Sequence, residues 1–174
     1  MPNIIPEKMS KFQVYSDNGV LLGIADGNFP SLEFQTTEIS GAGIAGTLDS
    51  PGGGMFGSLT VTLNWRTTSR DFIRLGTPDA HTLDMYAEQL SYDAGKGTYK
   101  KQRFHVYMKA LTKKLDMGKL ASMESQEAST EHEVYYMKVD IDGIEQLEID
   151  KFNYVYKVLG RDYMAETRRN LGMM

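Results

Sequence analysis

Gly41-Ala42-Gly43-Ile44-Ala45-Gly46-Thr47-Leu48-Asp49-Ser50-Pro51-Gly52-Gly53-Gly54 is the stretch on which the fold turns. Its first six residues match G-x-G-x-x-G, the turn that cradles a dinucleotide in a parallel α/β unit. That reading needs the last glycine to open a helix whose N-terminus holds the pyrophosphate. A proline and three glycines follow instead, and such a run does not sustain a helix. The acidic residue expected about 20 positions further on is also missing; Asn64, Trp65 and Arg66 stand there. The stretch is therefore read as a glycine-rich loop, Gly41–Gly57, that binds neither a nucleotide nor any other cofactor.

Outward from this loop the chain alternates with period two. In Ser58–Arg66, Leu59, Val61, Leu63 and Trp65 alternate with Thr60, Thr62 and Asn64, the pattern of a half-buried strand. Phe104, Val106, Met108 and Ala110 alternate in the same way with Arg103, His105, Tyr107 and Lys109. Thr82–Tyr92 reads as a strand with Leu83, Met85 and Ala87 on one face, and Ala94-Gly95-Lys96-Gly97 turns it into the next. Glu131–Asp142 is a further strand, with Tyr135, Met137, Val139 and Ile141 on one side. Asp142-Gly143 is a hairpin turn, and Leu147–Val158 is the single return strand. Shorter strands are predicted at Phe12–Tyr15, Val20–Ile24 and Ser31–Ile39, with a tight turn at Asn18-Gly19. Ser69 caps a short helix over Arg70–Leu75, closed by Gly76. A second runs from Tyr163 to Leu171 with Asp162 as its cap. One mainly β domain over residues 1–174, with small helical decorations, is expected.

The 174 residues include no cysteine, which excludes disulfides and thiolate-held metals and fits an intracellular folding compartment. No apolar run reaches the roughly 18–20 residues that span a bilayer, and no secretory signal is expected. The net charge of −4 offers no global attraction to nucleic acid or anionic membrane. Its distribution is more telling. Residues 96–119 carry eight basic side chains against Asp116 alone; residues 124–150 carry nine acidic ones against Lys138 alone. The two segments pair either as neighbouring strands within one subunit or across subunits, where complementary charge sets register.

Other chemistry is sparse. His81, His105 and His132 lack metal-ligand spacing and are read as polar-face strand residues. No Gly-x-Ser-x-Gly elbow occurs, and Asp140 and Asp142 lie beside a turn rather than in an acid/base pair. An enzyme is not expected. Tyr135, Tyr136, Tyr154 and Tyr156 leave open a monomeric β-sandwich module that binds carbohydrate. The glycine loop points elsewhere. Seven glycines in Gly41–Gly57 make ordering costly in backbone entropy, while Ile44, Leu48, Met55 and Phe56 within it invite folding onto a partner.

The C-terminal third carries a resemblance. Asp142-Gly143-Ile144-Glu145-Gln146-Leu147-Glu148-Ile149-Asp150, then Lys157-Val158-Leu159-Gly160-Arg161-Asp162, then Arg168-Arg169-Asn170-Leu171-Gly172, resemble the end of the major tail tube proteins of contractile-tailed phages, a family also used in bacteriocin-like particles. The Gly-Ala-Gly-x-x-Gly after an early strand, the strand at Trp65, the helix after it and the long central hairpin follow the family's order. The resemblance implies a β-sandwich or barrel-like tail tube fold, with a short helix after Trp65 and a short C-terminal helix. It implies hexameric rings stacked head to tail inside a tail sheath, met by a baseplate or initiator at one end and a tail terminator at the other. DNA, or in bacteriocin-like relatives nothing, passes through the lumen without specific binding. The particle would assemble in the host bacterial cytoplasm and the protein would reside in the virion tail. A ring of about 24 strands at ~4.8 Å spacing and ~40° tilt has a backbone diameter of roughly 48 Å, and head-to-tail contacts generate an open filament. The expected interface comprises the loop (Gly41, Gly43, Ile44, Gly46, Leu48, Met55, Phe56), the hairpin tip at Lys96, and the C-terminal extension 161–174 with Arg161, Arg168 and Arg169. The three loop glycines would supply unusual dihedrals, and Arg168 and Arg169 would pair with acids on a neighbour.

Overall fold

The computed structural model describes residues 4–173. Strand β1 (Ile4–Ser16) leads through a 3₁₀ turn at Asp17–Gly19 into β2 (Val20–Leu22), and only Gly23 separates that from β3 (Ile24–Asn28). After β4 (Phe34–Ser40), β5 (Thr47–Phe56) and β6 (Thr60–Trp65) comes helix α1 (Arg70–Arg74). The long strands follow: β7 (Ala80–Asp93), β8 (Thr98–Asp116) and β9 (Ala128–Ile141). The chain closes with β10 (Ile144–Asp150), β11 (Val155–Val158), β12 (Arg161–Asp162) and helix α2 (Ala165–Asn170).

The main sheet runs β12-β11-β10-β9-β8-β7-β1-β2, with β6 on β9 and β3 on β6. Strand β9 organises it. One of its edges pairs with β8 along its length; the other pairs with β6 through residues 128–133 and with β10 through residues 136–141. The chain steps from β2, which pairs with β1, to β3, which pairs with β6, and so wraps one sheet face. The ladder itself does not close, since β2 and β3 are not paired. The architecture is mainly β and barrel-like without being a closed barrel.

The wrapped face is the core. Leu59, Val61, Leu63 and Trp65, the odd set of the threonine-rich strand, are all buried, as are Leu83, Met85, Val106, Met108 and Ala110. Helix α1 is short, yet its packing is definite. Ser69 accepts a hydrogen bond from Phe72 N, as its capping position requires. Phe72 and Leu75 are fully buried, the Phe72 ring edge-on to Trp65 at 5.5 Å.

Three expectations need correction. Tyr135 does not share a face with Met137. The register slips between Lys109↔Tyr136 and Ala110↔Val134, so Tyr135 is an extra residue in a β-bulge. Ahead of it the even positions Ala128, Thr130, His132 and Val134 are buried; beyond it the parity reverses to Met137. Leu147–Val158 is not one strand. It folds back at 151–154, where Asp150 Oδ1 accepts from Phe152 N and Asn153 N, each at 3.0 Å, and β10 pairs with β11. The final helix starts later than expected. Asp162 does not cap it but accepts from Met164 N in the turn before it.

Part of the opposite charge pairs within the subunit. The basic and acidic segments are β8 and β9, adjacent and antiparallel. Lys113 reaches Glu133 at 3.6 Å, and Lys119 reaches Glu124 and Glu127 at 2.8 and 3.2 Å. Of these pairs, Lys113–Glu133 joins the two strands, and Lys119 with its two acids ties the loop between them.

Candidate assembly surfaces

Strands β4 and β5 form a two-stranded sheet of their own, in register from Thr36↔Pro51 to Ser40↔Thr47. The glycine-rich segment is thus largely a hairpin arm rather than an irregular loop. At its tip Gly41, Gly43 and Gly46 all take positive φ (134°, 97° and 124°), as the turn chemistry demands. Ile44 N donates to Gly41 O and Gly46 N to Ile44 O, both at 3.1 Å. Ile39 and Leu48 face each other across the ladder, and with Ile44 they leave an exposed apolar end.

The root of the arm is anchored. Between Thr36↔Pro51 and Phe34↔Phe56 the register shifts, so residues 52–55 bulge out opposite Gln35, and Met55 stays exposed. Phe34, Phe56 and Tyr156 cluster at 5.0–5.9 Å, and Tyr163 adds to Tyr156 at 5.7 Å. Gly54 has φ +93°, and a Cβ there would stand 2.3 Å from Met164 Sδ. The arm therefore seats on the C-terminal segment, which follows it by more than a hundred residues.

In that segment Arg161 lies over the Tyr163 ring at 4.9 Å. Arg168 is engaged within the chain: its guanidinium bonds Asp162 Oδ2 at 2.6 Å and donates to Tyr154 O at 2.8 Å. This internal pair holds the Asp162 carboxyl below its usual range. Arg169 is left exposed. Lys96 is not brought to this surface. It sits at the tip of the β7–β8 hairpin, where Asp93 opens a turn to Gly97 N, beside the start of β1 through Ile4↔Asp93.

Sequence reasoning missed the N-terminal half of β1. It pairs with β7 through one edge, with bulges at Glu7 and Ser10, while its other edge meets β2 only from Val14 to Ser16. Among the described residues the free edge of Ile4–Gln13 has no strand partner, and Ile4, Ile5, Met9 and Phe12 are exposed along it. Pro6 and the interspersed charges masked this strand, since proline and lysine are what an edge strand carries.

The sheet face opposite the core is polar. His105 stacks on Tyr86 with centroids 4.3 Å apart, bonds Asp84, and stands 3.5 Å from Asp140. Lys138 reaches Glu145 at 3.3 Å, and Lys157 reaches Glu148 at 2.6 Å. Tyr136 donates to Glu148 at 3.0 Å; burial first, then that carboxylate, push its phenol up. Tyr156 lies on the other face, paired with Ile149 of the core. The tyrosines are thus split between two faces and form no sugar platform. Of the histidines only His105 is on the polar face; His81 and His132 are buried, contrary to expectation. Among the described residues no cluster of three or more His, Asp or Glu could hold a metal, and no helix is long and apolar enough to cross a membrane.

Residues 6–172 match the family described as phage tail tube protein FII. The tail tube protein of Escherichia phage P2 is 25% identical over 180 residues, covering 97% of this chain and 99% of the relative. Two solved structures from a PVC extracellular contractile injection system, both in the extended state, align with the chain. The sheath/tube terminator covers 78% of this chain and 96% of its own at 16% identity and a TM-score of 0.47. A chain of the sheath–tube complex covers 75% and 87% at 15% identity and 0.46.

Proposed function

Because this chain belongs to the phage tail tube protein FII family, a structural family and not an enzymatic one, we propose that it builds the tube of a contractile tail as hexameric rings stacked head to tail. The unpartnered β1 edge, Ile4–Gln13, carries this reading. A long exposed edge is an aggregation liability in a monomer and a joint in a ring, where a neighbour's strand completes it. The opposite rim of the sheet ends at β12, only two residues long, so each subunit brings one long edge and one short one. The two bulges in β1 blunt the edge until a partner arrives.

The hairpin arm, the C-terminal segment beneath it and the Lys96 tip are the contacts between rings. The polar face of β7–β11 lines the lumen. Lys138 and Lys157 of this face are bound to acids within the subunit, which lowers the free positive charge that passing phosphate meets, so DNA slides without being held. Sheath, initiator and terminator proteins are the partners outside and at the two ends, and the protein takes its place in the virion tail after assembly in the host cytoplasm.

Negative-stain microscopy and mass measurement of the purified protein, alone and from assembled tails, test the reading. Six-fold rings and hollow tubes are expected. A species that stays monomeric at every concentration and is absent from tails would overturn it.

A further inference from the structure

Two further features are a knob and a hole, the hole sharing its Met9–Phe12 wall with the β1 edge. The loop between β8 and β9 is fixed at its base. Gly118 N donates to Asp116 Oδ1 (2.9 Å), Lys119 N to Gln126 O (2.8 Å), and Gln126 N to Arg66 O (2.8 Å). Lys119 Nζ holds Glu124 and Glu127. On this rigid base Leu120 and Met123 are both 103% exposed. Met123 sits at φ +61°, a conformation unfavourable for an unbranched apolar side chain. Full exposure of two large apolar residues, one on a strained backbone, marks a contact made with something else.

The hole is a cavity of about 340 Å³ between β1, β3, β6, β7 and β8. Phe12, Val61, Leu63, Met85, Phe29 and Phe104 give it apolar walls. Phe29, itself exposed, stands edge-on to Phe104 at 5.7 Å on the cavity wall. Lys11 and Asp26 also line it. From Phe104 to the end of β8 at Asp116 is about 12 residues, about 40 Å of strand, and the knob follows that end, so knob and hole lie towards opposite ends of one sheet.

We infer that the Leu120–Met123 knob of one subunit seats in the Phe12–Phe104 cavity of a second copy in the adjacent ring. A knob and a hole at opposite ends of the same chain cannot satisfy each other within a subunit. They make a heterologous contact, which propagates as a filament. The inference rests on the stacked-ring reading and adds what fixes the rotation of one ring on the next.

The double variant Leu120→Ser/Met123→Ser tests it, since both side chains are in water in the free subunit and the fold does not need them. Unchanged thermal melting, intact rings and at least a tenfold fall in mean tube length are expected. The protein has no cysteine, so Leu120→Cys combined with Asn28→Cys gives a clean cross-linking readout. Oxidised tubes should run as a ladder of covalent multimers, and each single-cysteine variant should not. Tubes of ordinary length from the double variant, full tubes without a ladder, or lost sheath binding with normal tube growth would each overturn the contact while leaving the ring reading intact. Failure of the unaltered protein to form rings or tubes would instead overturn the ring reading and this contact with it.

Discussion

His132 illustrates how a single side chain is fixed by its neighbours. It is fully buried and yet completely satisfied. Trp65 Nε1 donates to Thr130 Oγ1 at 3.2 Å, and Thr130 supplies its hydroxyl to His132 Nε2 at 2.9 Å. His132 Nδ1–H donates to Thr112 Oγ1 at 2.9 Å, and Thr112 passes its own hydrogen to Leu75 O. Every hydrogen in the chain is used only when the ring is neutral. Burial first, and His81 nearby second, lower its pKa from 6.5 to about 4. The unfolded chain therefore takes up a proton that the fold refuses. Stability is full above about pH 6.5, falls as pH drops towards 4, and falls no further from this group below that. The loss is about 3 kcal/mol, readable as a drop in the urea midpoint of the free subunit between pH 7 and pH 4. Glu133 follows in a lower window. Burial raises its pKa, but hydrogen bonds from Ser58, Lys151 and Leu59 N outweigh this and bring it to about 2, so its contribution is lost only below about pH 4.5. Two glycines offer a second residue-scale contrast. Gly46 has open space around it and Gly54 meets Met164, though both have positive φ. Alanine at either costs about 1–3 kcal/mol in backbone strain. Only Gly54→Ala should also free the C-terminal segment, seen as faster tryptic cleavage at Arg169.

The element most changed by seeing it folded is the glycine-rich arm. A deletion of 46–54 would remove Gly54 and the bulge that seats the arm on Met164, confusing loss of the arm with loss of the C-terminal segment. A cleaner cut replaces 39–48 with Asn-Gly, joining the paired residues Glu38 and Asp49 through a two-residue turn. The main sheet shares no ladder with this arm. The circular dichroism spectrum should therefore be unchanged and the melting temperature should move by only a few degrees, while tubes fail to grow in negative stain. Normal tubes from this variant would remove the arm from the interface. The β8–β9 pair teaches the complementary lesson. Its opposite charges were visible in the sequence, but they are partly exposed strand neighbours, and such pairs are worth well under 1 kcal/mol each.

At the scale of the molecule, the sheet has one wrapped face and one wet face, and the wet face is where a conduit would need them. On it Glu145 pairs with Lys138 and Glu148 with Lys157. Reversing Asp140 and Glu145 to lysine would strand Lys138 among like charges and line the lumen with unpaired cations. Tubes should still form, but DNA release from the tail should slow and become salt-dependent, checked by ejection kinetics at low and high ionic strength. The sequence by itself determined the β class, the half-buried strands at Leu59–Trp65 and Phe104–Ala110, the cap at Ser69, the Asp142-Gly143 turn and the need for three glycines at the arm's tip. Each follows from period-two patterning or from a residue's own dihedral limits, which are local. Only the tertiary structure decided that the glycine run is an arm seated on Met164 and that Tyr135 bulges out and inverts the parity of β9. It alone also showed that Arg168 belongs to Asp162, and that β1 begins at its free edge eight residues earlier than its pattern announces. Those outcomes depend on which strand lies beside which, and no spacing along the chain encodes a neighbour a hundred residues away.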